Sequence, residues 1–160
     1  MYNPPKLIAH QKLPPHFEIN LALIVDLDLD GAIVSVATPG GGRAAAALPR
    51  IGLASRAMGL DAQGRIIGIE LDKQPSAEDL IIVRASGCSF VVGPIDKENK
   101  ISDISETIIP EIVGIMKEAG LSNFHNVGRR ILRAKDMETS AISGLRLIGF
   151  ERPLPMWLGN

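Results

Sequence analysis

The stretch that decides the fold is EINLALIVDLDLDGAIVSVAT, residues 18–38. Ile19, Leu21, Leu23, Val25, Leu27 and Leu29 fall on one side of an alternating run. Glu18, Asn20, Ala22, Ile24, Asp26, Asp28 and Asp30 fall on the other. A period of two this long predicts a strand, with one face buried and the acidic end of the other in water. Asp30-Gly31 supplies a tight turn, because glycine tolerates positive φ. AIVSVAT, residues 32–38, then returns as the second ribbon of a hairpin with solvated aspartates near its tip. Three like charges on one face repel by about a few tenths of a kcal/mol per neighbour. The arginine-rich C-terminal third offers them basic partners.

Outward from this hairpin, further strands are predicted at RIIGIEL (65–71), LIIVRA (80–85), SFVVG (89–93) and AISGLRLIGFE (141–151). AAAALPRIGLASRAM (44–58) has helical composition, with Pro49 making it two short helices or one kinked helix. A second helix follows Asp103, whose spacing to Glu106 fits a capping box. Ile104, Ile108, Ile112, Ile115, Met116 and Ala119 share its apolar face, and Gly120 ends it. Pro110 moves its expected ordered start to that position, where a proline at N1 is harmless. GRRILRAK reads as a short helix, and KDMETS after it as a mobile loop. Many strands close in sequence with few helices between them predict an α+β domain over 18–151. Its sheet is expected to be mixed or mainly antiparallel, with about five to six strands covered by about two to three helices.

Flanking segments differ in composition. Residues 1–17 contain Pro4, Pro5, Pro14 and Pro15 and read as an extended N-terminal arm. Residues 152–160 are apolar and carry the only tryptophan, Trp157. An apolar tail of this kind docks on its own domain or on another subunit, so a homo-oligomer is expected.

Bulk composition narrows the function. The chain has 160 residues, enough for one core that needs no staples. Aromatics are 4% and the net charge is −1. Few rings argue against a stacking platform for single strands, and the charge balance attracts neither nucleic acid nor an anionic membrane. Cys88 is the only cysteine, so no intrachain disulfide or cysteine zinc cluster can form. His10, His16 and His125 lack metal-ligand spacing, and no metal site is expected. The N-terminus has no signal-peptide pattern and no apolar run is long enough to span a bilayer, so a cytoplasmic location is expected.

Two metal-dependent patterns meet at Asp26, Asp28 and Asp30. The first half of an EF-hand loop fits through Gly31, but the twelfth position, which needs a bidentate glutamate, is Ala37. LIVDLDLDGAIV also resembles the haloacid dehalogenase-type phosphohydrolases, whose apolar strand is followed by D-x-D-G. That resemblance covers about a dozen residues. It implies Asp28 as nucleophile, Asp30 as its acid-base partner and a magnesium ion between them. Ala32 replaces the usual threonine, and LIIVRAS would have to supply the second motif through Ser86. It also implies a parallel sheet, for which the chain offers few crossover helices.

Three other places can carry chemistry. Gly40, Gly41, Gly42 and Arg43 lie between a strand and a helix, where bare amides and a guanidinium suit an anion. Cys88, with His125 as a conceivable base, is a candidate nucleophile. Arg129, Arg130, Arg133 and Lys135 put four positive charges in seven residues. The reading adopted is a self-assembling domain that binds a small anionic molecule through the glycine loop, with Arg129 and Arg130 as further ligands. A small hydrolase and an RNA-binding regulator using residues 129–135 stay open beside it, and no motif names a cofactor.

Overall fold

The computed structural model describes residues 8–12, 21, 24–35, 44–95 and 101–151. Its strands are β1 (Ile8–Lys12), β2 (Gly31–Ser35), β3 (Ile66–Glu70) and β4 (Phe90–Val92). Between and after them come α1 (Ala44–Ala57), α2 (Ala77–Ala85), α3 (Ile101–Glu118) and α4 (Met137–Ser143). Among the described residues there is one sheet, in the order β1-β2-β3-β4, and all three pairings are parallel.

The α+β composition stands, but the expected mixed or antiparallel sheet of five to six strands does not. Three segments account for the difference. The first is the supposed leading ribbon of the hairpin. Residues 24–26 are helical and residues 27–28 form a turn, so the chain enters β2 from a turn rather than from a neighbouring strand. The second is LIIVRA, which lies inside α2. A short apolar run does not distinguish strand from buried helix, and here the local capping decides. Ser76 accepts from the Asp79 amide while the Asp79 carboxylate accepts from the Ser76 amide, a reciprocal cap that fixes the first turn. The third is residues 141–151. Asp136 caps α4 by accepting from the Thr139 amide at 2.7 Å, and Gly144 closes the helix at φ +66°. Only the isolated bridge Ala134–Leu147 remains of the expected sixth strand. The same cap makes the expected mobile loop KDMETS the start of a helix.

Other expectations match. α1 is one helix through Pro49, β3 and β4 fall where the sequence placed strands, and Gly120 ends the helical segment at φ +68°. The expected start of the second helix at Pro110 does not hold, because α3 begins at Ile101 and Pro110 sits inside it. Residues 8–12, within the segment read as an arm, form edge strand β1. Residues 36–43, 96–100 and 152–160 lie outside the described residues.

The core explains the one-sided packing. Register places Ala32 beside Ile67 and Val34 beside Ile69, so these four share a face. Leu48 and Ile51 of α1 and Val83 of α2 join the same buried cluster, with Leu21, Ile24 and Cys88. Both helices therefore cover that one face. The helices approach closely: a Cβ at Gly52 would overlap the carbonyl oxygen of Ser86, so only glycine fits there. On the opposite face the Phe90 ring lies over Gly68, and Ile33, Glu70 and Phe90 are half-buried. A second tier stacks outside the helices. Ile81 and Ala85 of α2 pack with Met116 of α3 and with Val127, while α4 lies against α1.

Candidate anion-binding site

Arg65 holds the bend around Asp28. Asp28 adopts φ +50°, a left-handed conformation that aspartate tolerates better than most residues. Arg65, from the turn before β3, reaches into this bend. Its Nη1 donates to the carbonyl of Ile24 at 2.9 Å and to that of Leu29. Its Nη2 pairs with Asp28 at 3.0 Å. The Arg65 side chain is 14% exposed and that of Asp28 is 95% exposed. Asp26, Asp28 and Asp30 all face solvent, and no group of three or more potential metal-ligating side chains stands together among the described residues.

The phosphohydrolase resemblance fails on placement. The sheet is parallel, as that family needs, but a helical turn precedes Asp28 where the family has an apolar strand. Asp30 stands before the first residue of β2, at the end of the sheet where the strand begins. Ser86 is the C-cap of α2 rather than the end of a strand.

Cys88 and His125 differ in their surroundings, one buried and the other at the surface. Cys88 is 1% exposed, and burial pushes its thiol up to about 12. Little thiolate forms at neutral pH, and thiolate is the nucleophile. His125 is exposed on a 3-10 turn (Phe124–Asn126) capped by Asn123. The glycine loop, Gly40, Gly41, Gly42 and Arg43, lies outside the described residues.

The basic cluster divides. A 3-10 turn, Arg129–Ile131, follows Gly128. Arg129 turns inward: its Nη1 donates to the Pro49 carbonyl at 3.0 Å and its Nη2 to the Ser143 carbonyl at 2.6 Å. Burial, and then the nearby Arg56, lower its pKa, yet arginine starts so high that it stays charged. Arg129 therefore ties α1 to the C-cap region of α4, and its fork is occupied by the protein itself.

Arg130 and Arg133 are exposed instead. Arg133 Nη1 donates to the backbone carbonyls of Arg130 at 2.6 Å and Leu132 at 2.8 Å, which folds its guanidinium back onto the main chain of its own turn. Arg146 comes from a different segment. The Ala134 amide donates to the Arg146 carbonyl at 2.9 Å and the Ile148 amide to the Ala134 carbonyl at 3.0 Å, bringing residue 146 alongside residue 133. These three arginines line an open cavity of about 510 Å³ with Leu121 and Ile131, at the end of α3 marked by Ala119 and Gly120. Among the described residues none of the three guanidiniums forms an ion pair. Arg146 was missed in the sequence because it sits in an apolar run that reads as a strand. An arginine inside such a run, close after a basic cluster, is the signal that could have found it.

No family model matches the chain, and no curated protein matches it. Among the described residues, no helix is long and apolar enough to cross a membrane.

Proposed function

We propose that this chain is a binding domain for a small anionic molecule, held in the cavity of Arg130, Arg133 and Arg146. The observation that carries the reading is that three arginines, none in an ion pair among the described residues, line one open cavity of about 510 Å³. Like charges so placed repel, and an anion between them relieves that repulsion. Arginine forks match the oxygens of carboxylates and phosphates. The sheet itself offers less support for a site at the strand ends. Ligands of open parallel sheets bind where strand order reverses, and β1-β2-β3-β4 contains no reversal. Burial of Cys88 and the exposure of all three aspartates favour binding over hydrolysis. Occupation of Arg129 by backbone carbonyls leaves a smaller basic surface for RNA than the sequence suggests.

Self-assembly belongs to the same reading. Ile148 and Phe150, exposed at 58% and 56%, give an apolar strip near the C-terminal end of the described chain. Light scattering showing a monomer at all concentrations would remove that part.

Thermal melting at constant ionic strength tests the binding. Phosphate or sulfate is expected to raise Tm relative to chloride, and the triple variant R130Q/R133Q/R146Q to lose that rise. Equal melting in all three salts argues against the site.

A further inference from the structure

We infer that the arginine cavity selects a phosphate monoester on a small apolar body, in preference to inorganic phosphate or a carboxylate. This inference rests on the anion-binding reading above and specifies its ligand class.

Charge comes first. A carboxylate carries one negative charge, whereas a phosphate monoester carries about 1.5 to 2 at neutral pH. Three arginines line the cavity, and the C-terminal end of α3 contributes only about half a negative charge against them. The net field there suits a dianion. Arg133 has Nη1 engaged with two backbone carbonyls, so its remaining nitrogens are presented in a fixed orientation rather than searched for on binding.

Size and lining decide the rest. A water occupies about 30 Å³ in the liquid, and a phosphate group fills the space of a few waters. The cavity, about 510 Å³ and open to solvent, is larger than one phosphate group and has room beside it for a further part of the ligand. That remainder meets Leu121 and Ile131, both half-buried and packed on the cluster around Met116. Their aliphatic surface gains by displacing water against an apolar group, not against a second charge.

Calorimetric titration of the full chain with phenyl phosphate, inorganic phosphate and benzoate, at one ionic strength, tests this. Phenyl phosphate is expected to bind at least tenfold more tightly than either of the others. Arg146→Gln and Arg130→Gln are each expected to weaken it severalfold. Arg130 is exposed, so its variant keeps the fold, which circular dichroism checks. Equal affinity for phenyl phosphate and inorganic phosphate overturns the apolar body while the anion reading stands. Benzoate binding as tightly as phenyl phosphate overturns the phosphate preference. Tight binding unchanged by either substitution overturns the location. No heat with any of the three overturns both the inference and the reading beneath it.

Discussion

Arg129 and Arg130 are neighbours in the chain, yet they face different surroundings. Arg129 donates to carbonyls of Pro49 and Ser143, and Arg65 does the same for Ile24 and Leu29. Arg130, with Arg133 and Arg146, lines a solvent-open cavity. In sequence the 129–135 run is one block of charge. In the fold it is one internal tie and one exposed group of cations. What separates the two kinds is the partner. A guanidinium that satisfies buried backbone carbonyls holds segments together, because those carbonyls cost free energy if left without a donor. Arg133 and Arg146 also donate to carbonyls, of Arg130, Leu132 and Glu151, but those bonds are exposed and water can replace them.

The contrast can be broken most directly at Arg65. Arg65→Ala removes a largely buried side chain and its donors to two part-buried carbonyls, of which that of Ile24 keeps the Leu29 amide, and is expected to destabilise by about 3 kcal/mol, read as a lower urea midpoint at unchanged m. Arg129→Ala should follow at about 2 kcal/mol. Arg129→Lys should recover only part of it, since a point-like ammonium cannot span both carbonyls as a planar fork does. Arg130→Ala should leave stability in the absence of ligand within about 0.5 kcal/mol while reducing the stabilisation by phosphate. A loss as large as that of Arg129→Ala would dissolve the distinction between the two kinds of arginine. The smallest effect is expected at Asp28→Asn, which removes the charge and keeps a residue suited to φ +50°. The carboxylate is 95% exposed, and surface pairs are worth less than about 1 kcal/mol. A melting curve close to that of the parent would show that Arg65 acts through the carbonyls of Ile24 and Leu29.

Legibility of the sequence followed the same line between local and distant causes. α1, β3, β4 and the end of the helical segment at Gly120 were readable, because periodicity and turn residues are local signals. LIIVRA was misread because Ser76 and Asp79, just upstream, outweigh the β-propensity of the run itself. The end of the alternating run, 24–28, was misread for a different reason. Leu21 and Ile24 are both buried, three residues apart, which is helical spacing concealed inside an alternating pattern. The parallel sheet was rejected because α2 had been counted as a strand, which removed one of the crossovers such a sheet requires. At the candidate site, Arg130 and Arg133 were visible as charge. Their union with Arg146 depends on the Ala134–Leu147 bridge, a tertiary contact that no local pattern encodes.

The strand order carries a consequence for how the molecule is made. Because the strands stand side by side in the order of synthesis, no later ribbon has to be threaded between two earlier ones. Each newly emerged strand finds its single partner already waiting at the growing edge, and the helix after β2 or β3 closes over it from the same side. Assembly of the sheet can therefore keep pace with translation, advancing from the N-terminal end one unit at a time.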